Sequence, residues 1–435
     1  MHPFSPHTRP VPTPAGVLSF PLPTVVPLLL IATGVLLTAC SGHSDGPAAH
    51  RFTRTEEEGI PVSLSSGAPL YEGELFTYEE VCRLEQDEAR EETILYQAYQ
   101  YLRGPNGRYY VSDNGNGRIA VFGEQGEYLF CFGREGDGPG EFRYGSLQTI
   151  DDECVCVYDQ MNRRATRFGL DGTFLDYVTL SSGDFNIRNL YPLPDGRHLT
   201  VNYENDYSDQ NHRRSRYCCQ LIAAETGDTL ATVNSDWNDM GRMVRVGNIG
   251  FTSAPTFTAR SYLTYKHGLG ILCYDSSRPE MSWYALDGSV SRIMRLDWEP
   301  VPVTDEDRAG YRRMYENRRD TSERDDMRDL YDAQLKRLEF NEYFPLWSGI
   351  SIDDSGFLWL GRPLRYIDWE PEQTRTYSYR ILSPDGEYLG DTTRPHAGTL
   401  SRGHLLTRQE DEETGEVTRI VYRIVPIPED LIYPD

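Results

Sequence analysis

The chain has 435 residues, with 67 acidic side chains against 43 lysines and arginines and a formal charge of −24. Nucleic-acid affinity rests on Lys and Arg neutralising phosphates, so this balance excludes a nucleic-acid partner. Aromatic residues make up 12%, with 29 Tyr, 38 Gly and 27 Pro, a composition that suits many short strands joined by tight turns rather than a helical bundle.

Residues 1–39 read as a processing signal. Arg9 precedes an apolar run from Val25 to Leu37 that is short and interrupted by Pro27, poorly suited to spanning a bilayer. The run ends in Leu37-Thr38-Ala39-Cys40, which resembles the lipobox of bacterial lipoproteins. That resemblance implies cleavage before Cys40 and acylation of its sulfur and new amino group. Several acyl chains hold where one is marginal, because each buried CH₂ adds about 0.8 kcal/mol. Residues 40–66 are expected to form a flexible tether and 67–435 a single domain. The later cysteines, Cys82, Cys131, Cys154, Cys156, Cys218, Cys219 and Cys273, are odd in number and lack zinc-site spacing. Cys154 and Cys156 fall on one face of a predicted strand, as small buried hydrophobes do.

An internal repeat carries the domain. Tyr109 to Phe130 and Val155 to Asp176 show the same order of features: Asp113 and Asp159 end an alternating strand, Arg118 and Arg164 follow, then Phe122 and Phe168, then Gly126 and Gly172. Each pair differs by 46 positions (159 − 113). The pattern predicts a β-meander, with polar turns at Asp and Asn and a Gly turn before the next strand. Such a sheet cannot bury both faces alone, but several packed around an axis can, which is the propeller solution. Weaker copies follow around Asp195-Gly196 and Gly227, around Asp287-Gly288, and around Asp385-Gly386. The tail from Gly398 to Val425 reads as a hairpin, and the segment from Pro61 to Tyr101 offers a strand to complete it. Pairing these would close a ring of six blades and remove two free edges. The polar stretch from Asn205 to Arg216, including the basic run His212 to Arg216, is expected to be a solvated loop.

Gly107 to Phe142, GRYYVSDNGNGRIAVFGEQGEYLFCFGREGDGPGEF, resembles an NHL repeat. With the lipobox, the chain resembles the six-bladed propeller lipoproteins of Bacteroidetes-type bacteria. The resemblance implies an all-β, six-bladed β-propeller of the NHL or TolB kind, anchored in the cell envelope at the outer membrane.

One segment breaks the strand pattern. From Thr304 to Phe340, Tyr311, Met314, Tyr315, Met327, Leu330, Tyr331, Leu335 and Leu338 recur at helical spacing. Two amphipathic helices are predicted as an insertion between blades, with Thr304 as N-cap, Asp307 three residues on, and a turn within 320–325.

The repeated pairs Asp113 with Arg118 and Asp159 with Arg164 are expected to be structural, since a feature recurring in each blade stabilises turns more often than it forms a single site. No compact catalytic, phosphate-binding or metal motif is present. His198, His212, His267, His396 and His404 come from separate blades that converge at an axis, so a metal centre there is open to test. Three functions follow as expectations. The first is a non-enzymatic binding module for a glycan, peptide or protein partner. The second is a metal-assisted hydrolase or lyase with its site at the axis. The third is a scaffold subunit docking through the helical insertion. No cofactor is assigned.

Overall fold

The computed structural model describes residues 48–179, 187–209, 212–223, 226–367, 377–411 and 415–433. Cys40 and the processing signal lie outside them.

Six four-stranded antiparallel meanders form the blades. Blade 1 is β4 (Ala98–Arg103), β5 (Tyr109–Asp113), β6 (Arg118–Phe122) and β7 (Tyr128–Phe132); blade 2 is β8 (Gly145–Ile150), β9 (Cys154–Asp159), β10 (Arg164–Gly169) and β11 (Phe174–Thr179). Blade 3 is β12 (Ile187–Pro192), β13 (His198–Asp209), β14 (His212–Ile222) and β15 (Thr229–Asn234), followed by a hairpin of β16 (Asn238–Val246) and β17 (Ile249–Ser253). Blade 4 is β18 (Ser261–Lys266), β19 (Gly270–Asp275), β20 (Glu280–Tyr284) and β21 (Val290–Leu296). Helices α1 (Asp305–Thr321) and α2 (Asp325–Leu335) come next, then blade 5 with β22 (Gly349–Ile352), β23 (Leu358–Gly361), β24 (Tyr377–Leu382) and β25 (Tyr388–Arg394). Blade 6 takes β26 (Gly398–Ser401), β27 (His404–Glu410) and β28 (Val417–Pro426) from the end of the chain and β3 (Phe76–Arg83) from near its start. The register runs from Ile420 opposite Arg83 to Pro426 opposite Phe76, so hydrogen bonds between the first and last strands close the ring.

The core is divided among the seams. Six apolar clusters lie one between each pair of neighbouring blades: Phe122 with Leu406 and Val421 between blades 6 and 1, Phe132 with Val157 and Phe168 between 1 and 2, Tyr158 with Leu190 between 2 and 3. Leu199 packs with Ile271 between 3 and 4, Met294 with Leu358 between 4 and 5, and Trp359 with Phe76 and Leu405 between 5 and 6. Both faces of each sheet are therefore buried, which is why β5 and β9 read as unbroken apolar runs ending in Asp.

The expected tether is ordered over much of its length. Residues Arg51–Glu57 and Ile60–Ser66 form strands β1 and β2, turned by Glu58 and Gly59, both at positive φ, the two-residue geometry whose twist suits a hairpin. β2 pairs in parallel with β21 and extends blade 4 to six strands. Val62 and Ser65 are buried there. Polar sequence alone suggested a linker, and the alternation within it is what the sheet edge uses.

The helices form as the spacing predicts, although α2 ends at Leu335 and Leu338 follows in the connection. Thr304 Oγ1 accepts from Asp307 N at 3.2 Å while Thr304 N donates to Asp307 Oδ2 at 3.0 Å, a reciprocal cap. Acidic residues fill the first turn of α1 and Arg318 and Arg319 the last, both favourable to the helix dipole. Gly310 lets α1 approach the chain at Tyr366: a Cβ there would lie 1.7 Å from the Tyr366 carbonyl oxygen.

The meander fixes where each connection opens. Turns from first to second strand, and from third to fourth, lie on one face; turns from second to third, and crossings to the next blade, lie on the other. Four long additions use this second face on blades 3 to 5. They are the extended β13–β14 hairpin, the β16–β17 hairpin, the α1–α2 pair and the connection that leaves β23 at Gly361. β16 pairs with the β14 extension, and α2 packs on β16 and β17. Thr256 N donates to Glu339 O at 2.7 Å, tying the chain after β17 to the chain after α2. The additions thus form one continuous crest.

Candidate functional site

Two regions compete for the site. The first is the axial mouth on the short-turn face, a cavity of about 420 Å³ lined by the ends of the innermost strands. Three of its charged residues, Lys266, Asp354 and Arg402, join blades, while Asp151 caps its own turn. Lys266 Nζ lies 2.7 Å from Asp354 Oδ1, and Asp354 Oδ2 accepts from Arg402 N at 2.7 Å. Ser401 Oγ accepts from Arg103 N at 3.0 Å, and Arg402 donates to Ile150 O at 3.3 Å. Burial works against the charge of Asp354, but Lys266 and the Arg402 backbone hold its carboxyl below the usual range. Further round the ring, Asn189 donates to Gln148 at 2.7 Å and Gln100 to Ser146 at 2.9 Å. The mouth is a polar belt that stitches six blades.

The histidines do not converge there. Of the five, only His267 lines the mouth. His198 is buried at the start of β13, where burial lowers its pKa. His212 pairs with Asp239 at 3.0 Å, His396 stacks on Tyr422, and His404 hydrogen-bonds the Arg402 carbonyl at 2.7 Å. Among the described residues, no group of three or more His, Cys, Asp or Glu is placed to hold a metal ion. The expectation of an axial histidine centre fails because these side chains leave their blades at different radii and in different directions.

The repeated Asp and Arg positions sit at turns on the crest face, with unequal partners. Asp113 is fully buried, pairs with Arg118 at 2.8 Å and accepts from Tyr96 N, just before β4, at 2.7 Å. Asp159 likewise accepts from Arg143 N, just before β8, at 2.8 Å. Arg164 makes no pair with it: its guanidinium donates to the carbonyls of Asp137, at 2.9 Å, and Glu141. The shared role is to tie a turn to the neighbouring crossing. Gly126 turns at φ +85°, and a Cβ there would strike the Arg83 carbonyl at 2.1 Å; Gly172 has φ +84°.

The second region is the crest itself. Three adjoining hollows of about 400, 370 and 450 Å³ lie between the helices, the chain after Gly361 and blades 4 and 5. They share Leu364, Pro363 and Arg362 at their borders, so they form one branched cleft. Tyr262 and Tyr274 line it with ring centroids 5.4 Å apart, backed by Tyr217, 5.7 Å from Tyr262, and the buried Trp347, 6.3 Å from Tyr274. Tyr377 and Tyr379 face this row from β24, and Leu364 projects into it while 42% exposed. Arg365 forms two bonds to Asp307, at 3.0 and 2.7 Å, and Arg362 pairs with Asp391. Arg380 lies on the Trp298 ring at 4.3 Å and takes no carboxylate among the described residues.

The basic run is not a loop. His212 to Arg216 belongs to β14, where Arg214 pairs with Asp206 at 2.5 Å and Arg216 with Glu204 at 2.7 Å. Arg216 also covers Trp237 at 4.6 Å. Cross-strand ion pairs and an aromatic cover make a strand from residues that show no apolar alternation. All seven described cysteines are free thiols, and Cys154 and Cys156 are both buried in β9.

Residues 89–232 match the family described as 6-bladed beta-propeller, DUF5128. No curated protein matches the chain. Three solved structures are similar. A Bacteroides fragilis protein assigned as exported is 11% identical, with 83% of this chain and 99% of that one covered and a TM-score of 0.46. A Bacteroides vulgatus member of the DUF4221 family is 11% identical, with 81% and 98% covered and a TM-score of 0.41. A catalytically inactive virginiamycin B lyase from Staphylococcus aureus is 9% identical, with 80% and 100% covered and a TM-score of 0.33. Likeness at this level carries nothing about ligand or chemistry.

Proposed function

We propose that the chain is a lipid-anchored, non-enzymatic propeller of the cell envelope that binds a segment of glycan, peptide or protein in the crest cleft. The observation that carries this reading is the clustering of four long additions on one face of three adjacent blades, where together they enclose a cleft lined by tyrosines and arginines. Aromatic faces and guanidinium groups on a rigid frame suit recognition of extended ligands. The axial mouth offers less, since Lys266, Asp354 and Arg402 already serve as blade-to-blade ties and, among the described residues, none of the long additions reaches it. Anchoring rests on the apolar run before Cys40 and the small residues beside it.

The test is a thermal-shift screen of the full chain in detergent against glycan and peptide libraries, because a ligand selective for the native state raises stability by mass action. A ligand that raises Tm for the wild type but not for Leu364→Asp is the expected result. Leu364 is exposed enough for the change to leave folding intact. Ligands that act equally on both proteins would remove the cleft from the proposal. Labelling with a fatty acid analogue in cells tests the anchor: incorporation in the wild type and none in Cys40→Ser is expected.

A further inference from the structure

The recess of about 370 Å³ within the cleft has a mixed lining. Val301, Phe344, Leu346 and Leu364 supply apolar surface and Arg362, Arg365 and Arg380 guanidinium groups, with Arg365 over the Phe344 ring at 5.7 Å and the exposed Glu299 among them. The three guanidinium groups differ in what they already hold. Arg365 forms a two-bond pair with Asp307, and Arg362 shares one edge with Asp391. Arg380 donates no hydrogen bond among the described residues and is covered on one face by Trp298. Burial, and then the like charge of Arg362, push its pKa down, which marks a cation short of an anion. A half-buried charge without a partner is costly, and a ring face offsets only part of that cost. Arg394 is similarly stacked on Trp359 and Tyr379, but it is sealed in the seam between blades 5 and 6. Arg380 instead opens on a hollow of ligand size.

Resting on the cleft reading above, we infer that this recess captures the C-terminal carboxylate of a peptide whose last side chain is apolar. The guanidinium of Arg380 donates to both carboxylate oxygens, Arg362 supplies a second cation, and the terminal side chain packs on Val301 and Leu364. The preceding residues have a path, because Arg362, Leu364 and Ser378 also border the tyrosine-lined hollow next to the recess. A free acyl carboxylate would use the same arginines and apolar side chains without that path.

Isothermal titration of the full chain in detergent with acetyl-Tyr-Leu and acetyl-Tyr-Phe, each as free acid and as C-terminal amide, and with hexanoate, tests this. The acids are expected to bind at least about tenfold more tightly than their amides, and more tightly than hexanoate, a charge-assisted bidentate pair being worth that much or more. Arg380→Gln is expected to abolish the preference for acid, so that acid and amide bind alike while circular dichroism shows the fold intact, and Arg380→Lys to restore part of it. Equal binding of acid and amide, a preference that survives Arg380→Gln, or no saturable binding of either acid would overturn the inference. Hexanoate binding as tightly as the peptides would replace the peptide with an acyl ligand and overturn it too. Library ligands lost in Leu364→Asp but indifferent to Arg380→Gln would leave the cleft reading standing without this subsite, whereas acids that bind through Arg380 while no library ligand depends on Leu364 would leave the subsite without the wider cleft.

Discussion

Blades 1 and 2 and blades 3 to 5 share one meander but spend their connections differently. In blades 1 and 2 the turns from second to third strand are tight, each tied by one buried aspartate to the crossing that enters the blade. In blades 3 to 5 the equivalent connections grow into hairpins and helices that pack on one another. The seams beneath remain alike, with an apolar cluster between every pair of blades. The frame is therefore indifferent to what its crest-face connections carry, and that freedom is what favours blades 3 to 5 in the binding proposal.

If the seams are equivalent, breaking one in either region should cost the whole ring. Phe122→Ala and Trp359→Ala are each expected to destabilise by about 3–5 kcal/mol, with one shared transition in chemical denaturation followed by fluorescence and circular dichroism. A Trp359→Ala protein in which blades 1 and 2 keep full amide protection while blades 3 to 5 lose it would break the comparison into two independent halves. The two aspartate ties sharpen it within the regular region. Asp113→Ala strands the Arg118 guanidinium and is expected to cost about 3–5 kcal/mol; Asp159→Ala removes only bonds to backbone N–H groups and should cost about 1–3 kcal/mol.

Changes in the crest should stay local. Asp307→Ala removes the cap of α1 and the partner of Arg365, and an effect of about 1–2 kcal/mol is expected on amide exchange within α1, with the blades unchanged. Acid should act in the same place. Burial opposes the Asp307 charge, but Arg365 and Thr304 prevail and hold its carboxyl below the usual value. A depressed carboxyl stabilises above the unfolded value of about 3.9 and loses that contribution as pH falls through the folded value. Pulsed hydrogen exchange should therefore show α1 opening below about pH 4 by a smaller margin than in Asp307→Ala.

The regular region was the legible one. Repeats show in sequence when turns are short, since Asp113 and Asp159 then recur at a constant interval, and the helices announced themselves through Thr304, Asp307 and the apolar spacing from Met314 to Leu335. The β1–β2 hairpin and the outer halves of β13 and β14 were hidden because half-exposed edges are held largely by ion pairs and backbone bonds, and the short Ile60, Val62, Leu64 alternation is the one apolar signal there. The cleft was hidden for a different reason. Tyr262, Val301, Leu364 and Arg380 come from four separate stretches, and only the crossing of chain between blades 4 and 5 brings them together. The tail held one more surprise of this kind: Tyr433 reaches back to place its ring 4.8 Å from Phe76 and its hydroxyl 2.7 Å from Asp353, a contact of one residue that no pattern signals.

The shared sixth blade also sets an order of events. β3 is made early, but its partner β28 is the last of the described strands to be synthesised. Until then β3 is an unpaired edge in a growing chain, exposed to other copies of itself. Glu79, Glu80 and Arg83 stand within its eight residues, and charges on a waiting edge oppose pairing with the wrong partner. Once β28 arrives, Arg423 meets Glu79 at 2.5 Å, so a charge that guards the strand during synthesis becomes part of the clasp that ends it.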